Sequence, residues 1–177
     1  MGYRNGDDDP DNDAKLVTLE VGGNNLLNLF YDLVLSGTCP GLEEFLAEPE
    51  CVDTLRQTLE RFQPNLSLAL DRLQEADSDV RIVVMTLYNP LSGGIGVVAA
   101  DAVEQLAEIS LEGLPDTPFP EGLNDIIRSE TEKRGFTLVD LYPLFDGKAS
   151  EYIDNDFVHP NDAGHEVAAE AVLEAVR

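Results

Sequence analysis

Three short apolar runs, separated by longer stretches with helical spacing, constrain most strongly what this chain can fold into. The runs cover residues 16–21, 81–87 and 136–141 and are rich in Val, Leu, Ile or Phe. Short apolar runs are typical of buried strands, whereas the segments between them repeat apolar residues every three or four positions, as helices do. Strands that alternate with helices form a parallel sheet with helices on both faces. The sequence therefore predicts a three-layer α/β domain.

The helices can be placed from the same spacing. One is predicted over residues 26–34, and a longer one over 52–76. We expect the longer helix to be interrupted at Pro64, because proline has no N–H to donate within a helix. The remaining helices are predicted over 97–110, from Leu123 to Gly135, and over 163–176.

Length and charge limit the class of protein. With 177 residues and 43% hydrophobic composition, we expect a single domain over residues 1–177, entered through an acidic loop at 1–14. No apolar run has the length of a membrane span. The formal charge of −24, from 35 acidic and 11 basic residues, argues against nucleic acid and anionic membranes as partners. A small or neutral ligand fits this surface better.

The two cysteines leave two interpretations open. A Pro/Gly-rich and acid-rich insertion separates Cys39 from Cys51. A disulfide that closes a short surface loop is one interpretation, and it suits a secreted protein; two buried thiols are the other. No signal peptide is visible, because Met1 leads straight into a polar, acidic segment.

Near the end of the chain, Asp156 stands three residues before His159. On a tight loop such an acid can accept the Nδ1 proton of the imidazole, so that Nε2 faces a nucleophile. The spacing thus predicts a general base with its orienting acid. Ordinary solvated loop residues are an alternative. A metal site with Asp162 and His165 is another, although no further His or Cys cluster supports it.

Asp162 and His165 repeat the same three-residue spacing. Pro160, with Asn161 or Asp162 as the cap, predicts a helix start that places His165 in the first helical turn. The N-terminus of a helix disfavours a protonated imidazole, which a general base must become. His159 is therefore the better candidate for the base.

A second polar motif, Gly22-Gly23-Asn24, follows the first apolar run directly. Its glycines permit a tight turn, and the Asn24 amide is positioned to donate a hydrogen bond into a crevice. Such crevices form at the carboxyl ends of parallel strands. Together with the acid-backed His159, this motif predicts two parts of an acyl-transfer site.

At these motifs the chain resembles the SGNH hydrolases, also called GDSL-type esterases and lipases. VTLEVGGNN is similar to the family's Gly-x-Asn-Asp block, and DFVHPNDAGH is similar to its Asp-x-x-His block. RIVVMTLYNP and RGFTLVDLYPLF resemble its later core strands, so the resemblance covers roughly residues 14–177. It implies a flavodoxin-like α/β/α fold whose parallel sheet has the strand order 2-1-3-4-5.

The resemblance also implies the chemistry, which is hydrolysis of small-molecule carboxylic esters without metal or organic cofactor. It makes His159 the general base, Asp156 its orienting acid and Asn24 a catalytic oxyanion-hole donor, with Gly23 beside it at the substrate. Asn25 stands where the family has Asp, which affects a loop-fixing hydrogen bond rather than the chemistry.

One part of the family's site has no match. The nucleophilic Ser belongs to a Gly-Asp-Ser block upstream of the Asn block, but the 21 residues before Gly22 contain no Ser. We therefore expect a portion of a longer enzyme that lacks the first one or two core strands and has little activity alone. Without those strands, residues 16–21 form an edge open to self-association. Ser92, beside Gly93 and Gly94, is the nearest substitute nucleophile.

Two functions follow from these features. The first is a serine esterase or lipase of the SGNH class, whose full-length form we expect to be secreted. The alternative is a non-catalytic fragment or pseudoenzyme that binds an acyl or carbohydrate ligand, or that associates with itself through the first strand.

Overall fold

The computed structural model describes residues 14–32, 37–39, 42–76, 79–93 and 100–177. Within these ranges the chain forms three strands and eight helices. The strands are β1 (Leu16–Leu19), β2 (Arg81–Met85) and β3 (Thr137–Val139). The helices are α1 (Gly23–Phe30), α2 (Leu42–Ala47), α3 (Pro49–Ala76), α4 (Ala100–Glu112), α5 (Leu123–Arg134), α6 (Tyr142–Phe145), α7 (Ala149–Tyr152) and α8 (Asp162–Ala175).

The three strands form one parallel sheet in the order β1-β2-β3. In its register Leu19 pairs with Val84, which in turn pairs with Leu138. The order agrees with the last three strands of the 2-1-3-4-5 arrangement that the family resemblance implies. The predicted parallel sheet is confirmed, and its carboxyl ends all lie at one edge.

Side chains of β2 alternate between two apolar clusters, one on each face of the sheet. Ile82 and Val84 pack in a cluster that includes residues of α3 and α5. Val83 packs in the other cluster, against which α8 lies through residues such as Val167 and Val172. Helices thus cover both faces, and the predicted three-layer α/β architecture is confirmed.

β1 differs from the buried strand that its apolar run predicted. Its residues alternate between exposed and half-buried, and Leu16 keeps 40% of its surface. The reason is its place in the sheet, because β2 is its only neighbour among the described strands. The prediction of burial was wrong, whereas the edge position agrees with the edge that we expected for residues 16–21 in the absence of the first core strands.

The predicted interruption at Pro64 was also wrong. α3 runs through Pro64 for 28 residues without ending there. Pro64 is exposed, while Phe62 and Leu66 on either side are 5% and 2% exposed and pack into the sheet-facing cluster. Their burial offsets the roughly 3 kcal/mol that a proline costs inside a helix.

A third apolar cluster packs around a disulfide. Cys39 and Cys51 are joined, with 6.3 Å between their Cα atoms, and neither side chain is exposed. Phe45 of α2, Leu55 of α3 and Phe119 pack in the same cluster. The link therefore ties the segment before α2 to the first turn of α3.

Some sequence predictions fall on other parts of the chain. Of the acidic loop 1–14 only Ala14 is described, and residues 94–96 of the Gly-rich loop lie outside the described ranges. The short helices α2, α6 and α7 were not predicted. Among the described helices, none combines the length and the apolar character that crossing a bilayer requires.

Candidate active site

The loop between α7 and α8 is closed by its own backbone. Ile153 and Pro160 form an antiparallel bridge, and the Asp154 N–H donates to the His159 carbonyl at 2.8 Å. The Phe157 N–H donates to the Asp154 carbonyl at 3.0 Å, and Phe157 adopts a left-handed conformation with φ of 60°. These contacts define a tight turn with Asp156 and His159 on it.

Asp156 and His159 meet within this turn. Asp156 Oδ2 lies 2.6 Å from His159 Nδ1, while its Oδ1 accepts the backbone N–H groups of His159 at 2.9 Å and Val158 at 3.0 Å. These bonds, with the His159 N–H first and its imidazole second, lower the pKa of Asp156 to about 2. The carboxylate is therefore ionised at neutral pH and can hold the Nδ1 proton. The contact forms as the spacing predicts, and its catalytic role stays a prediction.

The other side of the loop is held by the start of α8. Asn161 is the helix cap, since its Oδ1 accepts the Gly164 N–H at 3.0 Å, and its Nδ2 donates to the Glu151 carbonyl at 2.8 Å. A Cβ at Gly164 would lie 2.3 Å from the Tyr152 carbonyl oxygen. Only glycine lets α8 approach α7 this closely, so Asn161 and Gly164 together seat the helix behind the dyad.

His165 lies in the first turn of α8, where the helix signal placed it. No hydrogen bond joins it to Asp162, in contrast to the bond between His159 and Asp156. Nor do the described residues include three or more His, Cys, Asp or Glu side chains grouped as a metal site would need. The two Asp-x-x-His motifs therefore differ in the structure, because only Asp156 and His159 are hydrogen-bonded to each other.

The glycine turn after β1 is the second part of the predicted site. Gly22 has a φ of 116°, and a Cβ there would lie 3.0 Å from Leu87 and 3.1 Å from Phe62. Gly23 begins α1 and Asn24 follows with an exposed side chain. The Asn25 N–H donates to the Gly22 carbonyl at 2.9 Å, whereas the N–H groups of Gly23 and Asn24 have no partner within the helix and are available to an oxyanion. Asn24 forms no hydrogen bond with His159.

Two further residues interact with the dyad or its loop, and sequence reasoning missed both. The Tyr88 hydroxyl, just beyond β2, donates to the Val158 carbonyl at 2.9 Å. Glu20, just beyond β1, is coupled electrostatically to His159; burial of its carboxyl group raises its pKa, against the opposing effect of the imidazole charge. The side chain of Glu20 nevertheless keeps an exposed surface. Both residues follow the end of a strand, and this position is the feature of the sequence that could have identified them.

Ser92, the substitute nucleophile considered from sequence, lies in a different environment. It is 3% exposed, its hydroxyl donates to Asp146 at 2.6 Å, and it accepts the Gly147 N–H at 2.7 Å. Neither bond involves His159. The geometry assigns Ser92 to fixing the turn between α6 and α7.

Comparison with known proteins identifies the family. A model of the GDSL-like lipase/acylhydrolase family matches residues 1–167, so the chain belongs to that family of hydrolases. Among solved structures, the lipase Lip_vut3 from a goat rumen metagenome is similar, with a TM-score of 0.55 and 21% identity. The similarity covers 92% of this chain but only 64% of the lipase, and at this identity it shows the fold alone. No curated protein matches the chain.

Proposed function

We propose that this chain carries the general base, the orienting acid and one oxyanion donor of a serine-type carboxylic ester hydrolase. The observation that carries the proposal is the contact of 2.6 Å between Asp156 Oδ2 and His159 Nδ1, on a chain that belongs to a lipase and acylhydrolase family. His159 is also open to substrate, because 75% of its side chain is exposed.

The proposed mechanism gives each group one task. His159 Nε2 removes the proton of the attacking hydroxyl and later donates it to the leaving alcohol. Asp156 accepts the hydrogen bond from His159 Nδ1–H throughout and stabilises the imidazolium that forms. Asn24, with the N–H groups at the start of α1, stabilises the tetrahedral oxyanion; such a donor is typically worth ~10²–10³ in rate.

The proposed substrates are carboxylic esters of small or lipid-like alcohols, hydrolysed without a cofactor. The net charge of −24 favours neutral esters over anionic ones. We also propose that the full-length protein works outside the cytosol. The bond between Cys39 and Cys51 supports this location, because disulfides persist in oxidising compartments.

A non-catalytic role is the second candidate, and the hydrogen bonds of Ser92 favour it for this chain alone. Among the described residues, no serine hydroxyl is hydrogen-bonded to the His159 imidazole, whose ring partner is Asp156. An acyl or carbohydrate ligand bound at the open dyad, without turnover, would then be its function. We expect this chain alone to hydrolyse esters little or not at all.

Hydrolysis of p-nitrophenyl acetate separates the two candidates. We expect turnover close to the buffer rate, with any excess lost in His159→Ala and kept in the matched control His165→Ala. An excess that depends on His159 excludes the non-catalytic role. A rate equal to buffer excludes Ser92 as a nucleophile in this chain. An excess that survives in His159→Ala contradicts the role proposed for this residue.

A further inference from the structure

We propose that Tyr88 is a positioning residue that holds the His159 backbone in place through its hydroxyl. The proposal rests on the proposed function of His159 as the base. Tyr88 leaves the sheet just beyond β2, and its hydroxyl donates to the Val158 carbonyl at 2.9 Å. The bond joins the loop of the dyad to a strand end 70 residues earlier in the chain.

The ring of Tyr88 is itself fixed by packing. It stacks on Phe145, with 4.6 Å between ring centroids and 22° between planes. Phe145 is 1% exposed and makes an edge contact of 5.4 Å with Tyr152 at the end of α7. Stacked aromatic rings in a packed cluster favour one ring orientation. The hydroxyl of Tyr88 is therefore presented from a rigid support.

The peptide group between Val158 and His159 is held at both ends. Its carbonyl accepts the Tyr88 hydroxyl at 2.9 Å, and its N–H donates to Asp156 Oδ1 at 2.9 Å. Hydrogen bonds in such a chain strengthen one another, since each polarises the next. Tyr88 thereby acts on both members of the dyad: it orients the His159 backbone and the carboxylate that holds its imidazole.

This support matters because the dyad has little packing of its own. The side chains of His159 and Asp156 are 75% and 50% exposed. Burial first, and then the charges of Glu20 and Asp156, raise the pKa of the Tyr88 hydroxyl. The hydroxyl therefore keeps its proton and remains a donor to the Val158 carbonyl at neutral pH.

Tyr88→Phe tests the proposal, because it removes the hydroxyl and keeps the ring stack. Tyr152→Phe is the matched control, since it removes a hydroxyl from the same aromatic cluster that is not bonded to the loop. The readout is proton NMR of the His159 Nδ1–H and backbone amide in the full chain. We expect both protons to exchange with water about fivefold faster in Tyr88→Phe, as for the loss of one hydrogen bond, and to be unchanged in Tyr152→Phe.

Unchanged exchange of these two protons in Tyr88→Phe overturns the proposal, even if the variant melts at a lower temperature, because that pattern means a merely structural role. Faster exchange in both variants overturns it as well. The outcome is independent of the ester assay. A chain without turnover weakens the proposed function while the NMR comparison still decides the role of Tyr88.

If turnover is measurable, we expect Tyr88→Phe to lower kcat about fivefold and leave KM unchanged, as for a group that acts through the base rather than on the substrate. Turnover that is lost in His159→Ala but unchanged in Tyr88→Phe would count against Tyr88 and leave the proposed function standing.

Discussion

Phe157 is held in an unusual conformation at the centre of the site. Its φ of 60° lies in the left-handed region, which bulky residues seldom adopt, and the residue is 44% exposed. Packing of the ring therefore offsets little of the backbone strain. The surrounding hydrogen bonds impose the conformation, since the Phe157 N–H is bound by Asp154 and the next two N–H groups by Asp156.

We predict that Phe157→Asn raises the melting temperature by about 2–4 °C, because asparagine tolerates the left-handed region at roughly 1 kcal/mol less strain. Phe157→Ala is the control, since it removes the same ring but keeps a Cβ that disfavours this conformation. Thermal unfolding followed by circular dichroism measures both. Equal melting temperatures for the two variants would mean that backbone strain is not the cause.

The contacts of single residues were predictable only over short distances along the chain. Asp156 and His159 are three residues apart, so their spacing alone was enough to indicate the contact. Tyr88 and Val158 are 70 residues apart, and the bond between them depends on how β2 and the loop after α7 meet in the fold. No local pattern in the sequence predicts that contact.

At the level of elements, a buried carboxylate joins α3 to α5. The side chain of Glu130 is 5% exposed and contacts Lys133, Arg134 and Gln63. Burial alone would raise the pKa of Glu130, but hydrogen bonds from Lys133, Arg134 and Gln63 outweigh it and lower the pKa to about 2. Arg134 also reaches Asp71 and Ser67 of α3, so the cluster holds the two helices together.

The sign of the resulting pH dependence follows from the lowered pKa. Glu130 binds a proton near its ordinary pKa of 4.5 in the unfolded chain but only near 2 in the folded one. Its stabilising effect is therefore complete above about pH 5 and is lost as the pH falls towards 2. We predict that the free energy of unfolding loses on the order of 2–3 kcal/mol over this range through this residue.

Urea denaturation of Glu130→Gln at several pH values tests this contribution. The variant should be less stable than the natural chain at pH 6, and the difference should shrink towards pH 2. Glu132→Gln, an exposed change on the same helix, is the control and should follow the natural chain throughout. A difference that is constant with pH would contradict the role of Glu130 charge.

The strands and most helices were predictable because their apolar periodicity is strong. The burial of β1 and the continuity of α3 through Pro64 were not. β1 has the composition of a buried strand but lies at an edge of the sheet. The residues of a strand do not by themselves indicate how many neighbouring strands it has. Pro64 lies inside α3 because the packing of the helix face on both sides outweighs the local preference of proline.

The whole molecule carries a strong negative charge, and among its described strands β1 lies at an edge of the sheet. Leu16 of β1 is 40% exposed, and an edge strand offers unpaired backbone groups to another chain. A charge of −24 opposes association of two copies at low salt. Raising the salt from about 0.1 M to 1 M shortens the screening length from about 10 Å to 3 Å, so the electrostatic repulsion between two copies weakens.

We predict that the chain forms a dimer through β1 as salt rises, measured by sedimentation velocity at both salt concentrations. Leu16→Asp should abolish the dimer. Leu173→Asp makes the same change in charge on the outer face of α8, where the leucine is 56% exposed, and should leave the dimer intact. Loss of the dimer in both variants would assign the effect to net charge rather than to the strand edge.

The disulfide between Cys39 and Cys51 gives this sequence two different stabilities. It closes a loop of 12 residues, for which chain entropy assigns about 3 kcal/mol. A domain is commonly stable by only about 5–15 kcal/mol, so this is a substantial share. The same fold would therefore have a smaller free energy of unfolding in a reducing cytosol than in an oxidising exterior. The compartment, as much as the sequence, then determines what fraction of the chains keeps the site folded.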